Sequence, residues 1–408
     1  MTSIQLPKET TPPEPGTRPE GAASGPSTKR LVGLDLARAL AVFGMYAVHI
    51  GPPLSATNGV GSWIRYLAEG RASILFATLA GFSLMLIAGR RQPKTGQAGR
   101  QAKARIAIRA VILIALGTAM TMVYGDVVIL AFYGIYFLLA LPLVRLSAKT
   151  LAIIAAVLAL VTPQLAFVLK SLLTEPIQQS INAYDPLEKL SNVGVLDLLC
   201  TGFYPTIPWI TFVVAGMALA RLDLACGAVQ RRVAALGAAL TVLGYGLSRL
   251  LAGPDALRSM AESGPPSAGN KPLDLQGSAS ALLLAGPHSG TTFDIIGSVG
   301  VAMLVIVGAT AALERLRWLR RLATPLIAVG TMSLTAYVGH FLAQSVLSAN
   351  SVLSMPEPGK AGAYSSWTQL LLFILGATVF AMIWSRFFRR GPLEYLLNAA
   401  TKPAKYIR

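Results

Sequence analysis

Arg38 and His49 stand eleven residues apart in an apolar stretch that also holds Asp35. Eleven residues are close to three whole helical turns, so in a helix both side chains project from nearly one face. At 1.5 Å per residue they are roughly 16 Å apart along the axis. An arginine suits a phosphate and a histidine suits proton transfer, so such a face offers anion binding at one end and acid-base chemistry at the other. A second reading makes Asp35 and Arg38, at i and i+3, an interfacial ion pair and leaves His49 as an ordinary residue at the helix end. Spacing alone does not choose between them.

Other polar groups stand where apolar sequence surrounds them. Ser333, Tyr337, His340 and Gln344 fall within roughly a 60° arc of one predicted helix. Such a stripe faces protein or a water-filled cavity, and inter-helix hydrogen bonding by Ser, Tyr and Gln around a satisfied His is its plainer explanation. Asp126 follows Gly125 in a tight turn, either simply hydrated or functional. Tyr204 and Trp209, with Pro205 and Pro208, read by default as interfacial aromatics at a helix start. The chain has three histidines. His288, after Pro287 in a segment rich in Gly, Pro and Ser, is expected to be solvated. Cys200 and Cys226 fall at opposite ends of one predicted helix and cannot pair with each other; no metal-ligand spacing is present, so no metal is expected.

The elements that must position these groups are membrane helices. Hydrophobic residues make up 54% of the chain and charged ones 13%, with a mean hydropathy of +0.59, too oily for a soluble domain. Hydrocarbon about 30 Å thick needs roughly 20 apolar residues per helix. Ten runs qualify, beginning near Leu31, Ala72, Ile106, Val127, Leu151, Phe203, Val233, Phe293, Leu326 and Leu370. The expected fold is therefore an all-α polytopic membrane protein of about ten transmembrane helices.

Lys and Arg fix the expected sidedness. With the N-terminus in the cytoplasm, every inner connection is basic, from Arg90, Arg91 and Lys94 through Arg145, Arg221 and Arg231 to Arg320, Arg321 and Arg389. An even helix count returns the C-terminus to the same side, and all three histidines fall toward the outer one. The net charge of +17 is then a topology signal with affinity for anionic lipid heads, and nucleic acid is not an expected partner. Residues 1–30, rich in Pro, Ser and Thr, read as a disordered cytoplasmic tail, 31–390 as the membrane domain and 391–408 as a basic cytoplasmic tail. Outer loops are expected over about 170–202 and 252–292.

The run from Arg30 through Asp35 and Arg38 to Met45, closing on His49, resembles the opening helix of the transmembrane acyltransferase superfamily. That group includes heparan-α-glucosaminide N-acetyltransferase-like proteins and bacterial membrane glycan O-acyltransferases, whose members often show an Arg, ten residues and a His. A departure is Ala39, where the small residue after the Arg is usually Gly. Gly125-Asp126 through Tyr133-Gly134, Tyr204-Pro205 through Pro208-Trp209, Gly330 through Ser333, Tyr337 and His340, and Gly391-Pro392-Leu393-Glu394 resemble further segments of the same group in the same order.

The resemblance implies a multi-pass enzyme of the bacterial inner membrane that takes an acyl group, acetyl by preference, from cytoplasmic acyl-CoA. The group would pass to an extracytoplasmic glycan, glycolipid or sugar. His49 would be the general base; His340 and Asp126 would orient it or polarise the carbonyl. Arg38, with Asp35, would hold the donor's phosphates, about one extended phosphopantetheine arm from His49. Tyr337, Ser333, Tyr204 and Trp209 would line the substrate site. Membrane lipids are expected neighbours, and a homo-oligomer is left open. The rival from another class is a small-solute transporter or flippase whose polar stripes line the path.

Overall fold

The computed structural model describes residues 31–53, 57–253, 279–349 and 366–407. The expected tail over 1–30 and most of the expected loop over 252–292 lie outside them. All regular structure among the described residues is helical, as lipid demands of a backbone with no water to satisfy it. The α-helices are α1 (Val32–His49), α2 (Gly59–Ala68), α3 (Arg71–Ala88), α4 (Gly96–Tyr124), α5 (Leu130–Ala140), α6 (Ala148–Leu172), α7 (Glu175–Tyr184) and α8 (Pro186–Ser191). There follow α9 (Thr206–Arg221), α10 (Gly227–Ala252), α11 (Thr292–Arg315), α12 (Arg317–Leu322), α13 (Thr324–Thr331), α14 (Ser333–Ala349), α15 (Trp367–Phe387) and α16 (Pro392–Ala400).

Each of the ten apolar runs is helical, but seven helices among the described residues are long and apolar enough to cross a membrane, or eight if the pair α13–α14 is one span. That pair is bent by 86°. The two remaining runs, Leu130–Arg145 and Thr206–Arg221, are shorter. Both are largely enclosed by protein, so their ends need not reach both lipid surfaces. The expected outer loop over 170–202 is mostly helical instead: the end of α6, then α7, α8 and a π-helical turn over Asp197–Thr201. Asp185 organises it, accepting bonds from Leu187 N at 2.8 Å and Val195 N at 2.5 Å.

Close backbone approach sets the centre of the bundle. A Cβ on Gly216 would stand 1.9 Å from the Thr78 carbonyl oxygen, so α9 packs on α3 with no side chain between them. A Cβ on Gly330 would fall 1.7 Å from the Asp35 carbonyl oxygen, and α13 is likewise seated on α1. Around this core stand α6, α10 and α15, only 28%, 22% and 17% buried over their most apolar windows, against 61% for α1.

The basic connections gather at one end. Arg221 donates to the carbonyls of Arg90, Val144 and Leu146, Arg91 pairs with Asp223 at 3.0 Å, and Gln101 donates to the Lys405 carbonyl at 2.9 Å. The segment after Gly391 also reaches the core. Glu394 accepts from Leu334 N at 2.7 Å, Thr335 N at 3.2 Å and Thr335 Oγ1 at 2.6 Å. A carboxylate there satisfies the orphan N–H groups at the start of α14 and complements its dipole, which fixes where that helix resumes after the bend.

Candidate functional site

Two histidines meet between α1 and α14. Tyr46 donates to the Ala336 carbonyl at 2.7 Å and pins the helices together one turn before the pair. His49 Nδ1 stands 2.9 Å from His340 Nε2, with the rings stacked at 5.2 Å and 21°. His340 Nδ1 is bonded to the Tyr337 carbonyl. A carbonyl can only accept, so Nδ1 carries the hydrogen, and a neutral His340 must then accept through Nε2 from His49 Nδ1–H. The chain of bonds leaves the lone pair of a neutral His49 on Nε2. Phe341, 4.1 Å from the His340 ring and 5.4 Å from that of His49, closes one side. His340 is buried and His49 half-buried.

Tyr337 ties a second element to this pair. Its hydroxyl accepts from Ile129 N at 3.1 Å, anchoring the turn that follows Asp126. Tyr204 donates to the Val127 carbonyl at 3.3 Å, and Tyr136 donates to the Tyr204 carbonyl at 2.6 Å. Asp126, half-buried in the 3-10 turn Gly125–Val127, is an electrostatic neighbour of Tyr204. Tyr204 and Trp209 are core residues rather than members of an interfacial belt, with their rings edge-on at 5.0 Å. Ser333 opens α14 and stands two turns, roughly 10 Å, along the axis from His340, so it is not brought to the pair.

At the other end of α1, Arg38 Nη1 lies 2.7 Å from Asp35 Oδ1 and Nη2 donates to Ser83 Oγ at 2.8 Å. The i, i+3 ion pair of the plainer sequence reading is therefore present. Arg38 finds its partner on α3 and His49 finds its own on α14, so different helices meet the two ends of this face.

His288 departs from its expectation. It is only 5% exposed, and its Nδ1 has no hydrogen-bond partner among the described residues. The loop is tucked in because Ser248 Oγ donates to the Leu283 carbonyl and accepts from Ala285 N, while Thr291 Oγ1 donates to the Leu284 carbonyl. Phe203 at 4.6 Å, Tyr204 at 5.5 Å and Trp209 at 5.8 Å surround its ring. Its φ of 58° lies in the left-handed region, which a bulky side chain occupies only when its surroundings hold it there. Burial, and then the nearby His49, pushes its pKa down to about 3. A neutral imidazole that is a neighbour of His49 joins all three histidines in one region.

Arg65 was also legible only as a loop cation. It is fully buried on α2, donating from Nε to the Pro52 carbonyl at 2.8 Å and pairing through Nη1 with Glu69 Oε2 at 3.0 Å; Nη2 has no hydrogen-bond partner among the described residues. The exposed face of α2 carries Val60, Trp63, Ile64 and Leu67. A helix with charges inward and apolar groups outward is inverted for water and suited to lipid. The sequence signal was the i, i+4 pair Arg65 and Glu69 inside an apolar stretch. Among the described residues no group of three or more His, Cys, Asp or Glu is placed to hold a metal ion.

Residues 30–245 match the family described as heparan-alpha-glucosaminide N-acetyltransferase, catalytic, and residues 277–403 match a family of proteins of unknown function, DUF418. No curated protein matches the chain. The first region holds Arg38, His49, Asp126, Tyr204 and Trp209, and the second holds Ser333, Tyr337, His340 and Glu394. The His49–His340 bond joins the two.

Proposed function

The chain belongs to the heparan-alpha-glucosaminide N-acetyltransferase catalytic family, and from that premise we propose that it is a membrane acyltransferase. It carries an acyl group, acetyl by preference, from cytoplasmic acyl-CoA to a hydroxyl or amine on an extracytoplasmic glycan, glycolipid or sugar. The observation that carries this reading is the oriented histidine pair, 2.9 Å between ring nitrogens, with the His49 Nε2 lone pair left over. His49 Nε2 takes the acceptor proton as the acceptor's electron pair attacks the thioester carbonyl. The C–S bond then breaks, the thiolate leaves, and the proton returns to it. His340 orients His49 and shares the charge that His49 gains, the part a third group plays in any relayed base.

The donor's phosphates would rest toward the basic end, where Arg38 is held half-buried by Asp35 and Ser83 and the connections bearing Arg90, Arg91 and Arg221 gather. Arg38 is already paired, so it would act by a hydrogen bond or by through-space charge, not as a naked cation. Tyr337, Tyr204, Trp209 and Asp126 position the acceptor side. In this reading the protein lies in the bacterial inner membrane with both termini inside.

A second reading, a transporter or flippase, has one specific observation in its favour: the 86° bend between α13 and α14, since broken helices mark transporter sites. One experiment separates the two. Purified protein in liposomes receives radiolabelled acetyl-CoA with a panel of amino sugars and glycolipids. Labelled acceptor that is lost in His49→Ala supports the transferase; uptake of intact solute without acetylation supports the transporter.

A further inference from the structure

A cavity of about 400 Å³ opens between α14 and α15. His340 and Tyr46 form part of its wall, and the remainder is apolar apart from Thr335: Gly339, Ala343 and Leu347 from α14, and Leu372, Gly376 and Phe380 from α15 among others. Small residues facing each other on membrane helices ordinarily let the backbones touch. Here they do the opposite. A Cβ added to Gly339 or to Gly376 meets nothing within 4 Å, so the two glycines enlarge a gap instead of closing one. Leu372 and Phe380 are also 48% and 44% exposed, which places the gap against the same surface that lipid covers.

Polar groups on α14 have no account in the fold. Gln344 is fully buried, one turn beyond His340, and neither its Oε1 nor its Nε2 has a partner among the described residues. Ser348, a further turn on, has an unpartnered hydroxyl among the same residues. A buried primary amide left unsatisfied is costly, more so where no water reaches it, and residues i, i+4 and i+8 share one helix face. His340, Gln344 and Ser348 thus share one polar face of α14, and His340 is the member of it that also lines the apolar cleft.

We propose that this is the acceptor site, and that it takes an amphipathic, membrane-resident acceptor. One hydrocarbon chain lies in the cleft between α14 and α15, and the hydroxyl- or amine-bearing head lies where His340 and Tyr46 form the wall, against the histidine pair. The proposal rests on the acyltransferase reading for the identity of the head's reaction, but not for the occupancy of the cleft. An acceptor already dissolved in the bilayer enters sideways without leaving hydrocarbon, whereas the chain of acyl-CoA would have to come with a polyanion from the basic end.

The test is a binding measurement. Protein in phosphatidylcholine–phosphatidylglycerol vesicles is labelled with dodecyl glucoside carrying a diazirine in its chain, and the adducts are mapped by mass spectrometry. Labelling is expected at Ala343, Leu347, Leu372 and Phe373, reduced at least fivefold by Gly339→Leu and, independently, by Gly376→Leu. Melting curves of each variant separate a filled cleft from a misfolded protein, and the second glycine variant serves where the first does not fold. Adducts scattered over all lipid-facing helices, unmoved by either glycine variant, would overturn the proposal. So would competition by dodecyl-CoA and not by dodecyl glucoside, which assigns the cleft to the donor. Acetyl transfer by wild-type protein is assayed separately, so a labelled cleft in a protein without transferase activity sinks the enzyme reading and leaves the lipid site standing.

Discussion

His49 Nδ1 and His340 Nε2 are 2.9 Å apart, and the His340 bond to the Tyr337 carbonyl gives that contact a direction. Because the carbonyl takes the only hydrogen a neutral His340 can give, His49 must donate across the gap and keep its lone pair on Nε2. One backbone oxygen on α14 therefore selects the tautomer of a histidine on α1. This is the arrangement expected of a base aimed at a substrate, and it makes unequal demands on the two imidazoles.

Replacing His49 by Ala should lower kcat for acyl transfer by about 10²- to 10⁴-fold, the usual contribution of a general base. His340→Gln keeps an acceptor for His49 Nδ1–H and should retain more activity than His340→Ala, which leaves the tautomer unselected. Steady-state rates at saturating donor measure both. Equal losses for Gln and Ala at position 340 would mean that His340 does not act by orienting His49.

Arg38→Ala should raise KM for acyl-CoA more than it lowers kcat, since phosphate contacts are mostly uniform binding. Asp35→Asn provides the complementary test, because it frees the guanidinium from its 2.7 Å ion pair. If Arg38 meets the donor, this variant should bind acyl-CoA at least as tightly as wild type. Unchanged affinity in both variants, measured by calorimetry, would confine the pair to holding α1 against α3.

Glu394 is bonded to two successive backbone N–H groups, Leu334 and Thr335, at the start of α14. Glu394→Ala should cost about 1 kcal/mol of stability, in the range of lost caps and dipole partners. It should also reduce kcat, because the same helix carries His340 two turns further on. Thermal unfolding in detergent and the acetyl transfer rate are the two readings. A stable variant with full activity would leave the C-terminal segment without a part in positioning.

Much of this was legible in the sequence, and the omissions have physical causes. Period and composition located every apolar run, because burial in lipid needs length and oiliness and little else. They do not settle how many of the runs span, because a helix such as α9, largely enclosed by protein, reads as oily as one that faces lipid. The residues on α1 and α14 stood out since polar side chains are costly inside apolar helices, yet their contact across 291 positions of sequence does not follow from any spacing. His288 was misjudged for a related reason: Gly, Pro and Ser around it signal a loop, and only tertiary bonds from Ser248 and Thr291 turn that loop inward.

That burial gives His288 a pH signature. Its pKa falls from 6.5 to about 3 on folding, so between those values the unfolded chain holds a proton that the folded one excludes. Stability is then flat in this group above about pH 6.5 and declines as pH drops toward 3, by about 1.4 kcal/mol per unit over the steep part. His288→Gln removes that proton from both states. The variant's melting temperature should fall less between pH 6.5 and 4.5 than that of wild type. Parallel curves would show that His288 is solvated after all.

The arrangement finally predicts on which sides the two substrates act. The connections bearing Arg90, Arg91, Arg145 and Arg221 meet at one end of the bundle, and basic short loops favour the cytoplasm, where acyl-CoA is made. Arg38 and His49 lie roughly 16 Å apart on α1, with the histidine farther from that end. A polyanionic CoA cannot enter hydrocarbon, so in the proposed transfer the protein would hold the donor at the basic end and deliver only the acyl group. In sealed vesicles of known orientation, acetyl-CoA should support transfer only when added on the face that bears Arg90 and Arg221. Modified acceptor should appear in the opposite compartment or leaflet. Protease accessibility of the loop at Arg91 fixes the orientation of each preparation. Should donor and acceptor prove to act from one face, transfer across the membrane is ruled out, and the histidine pair would have to be reached from the donor's own side.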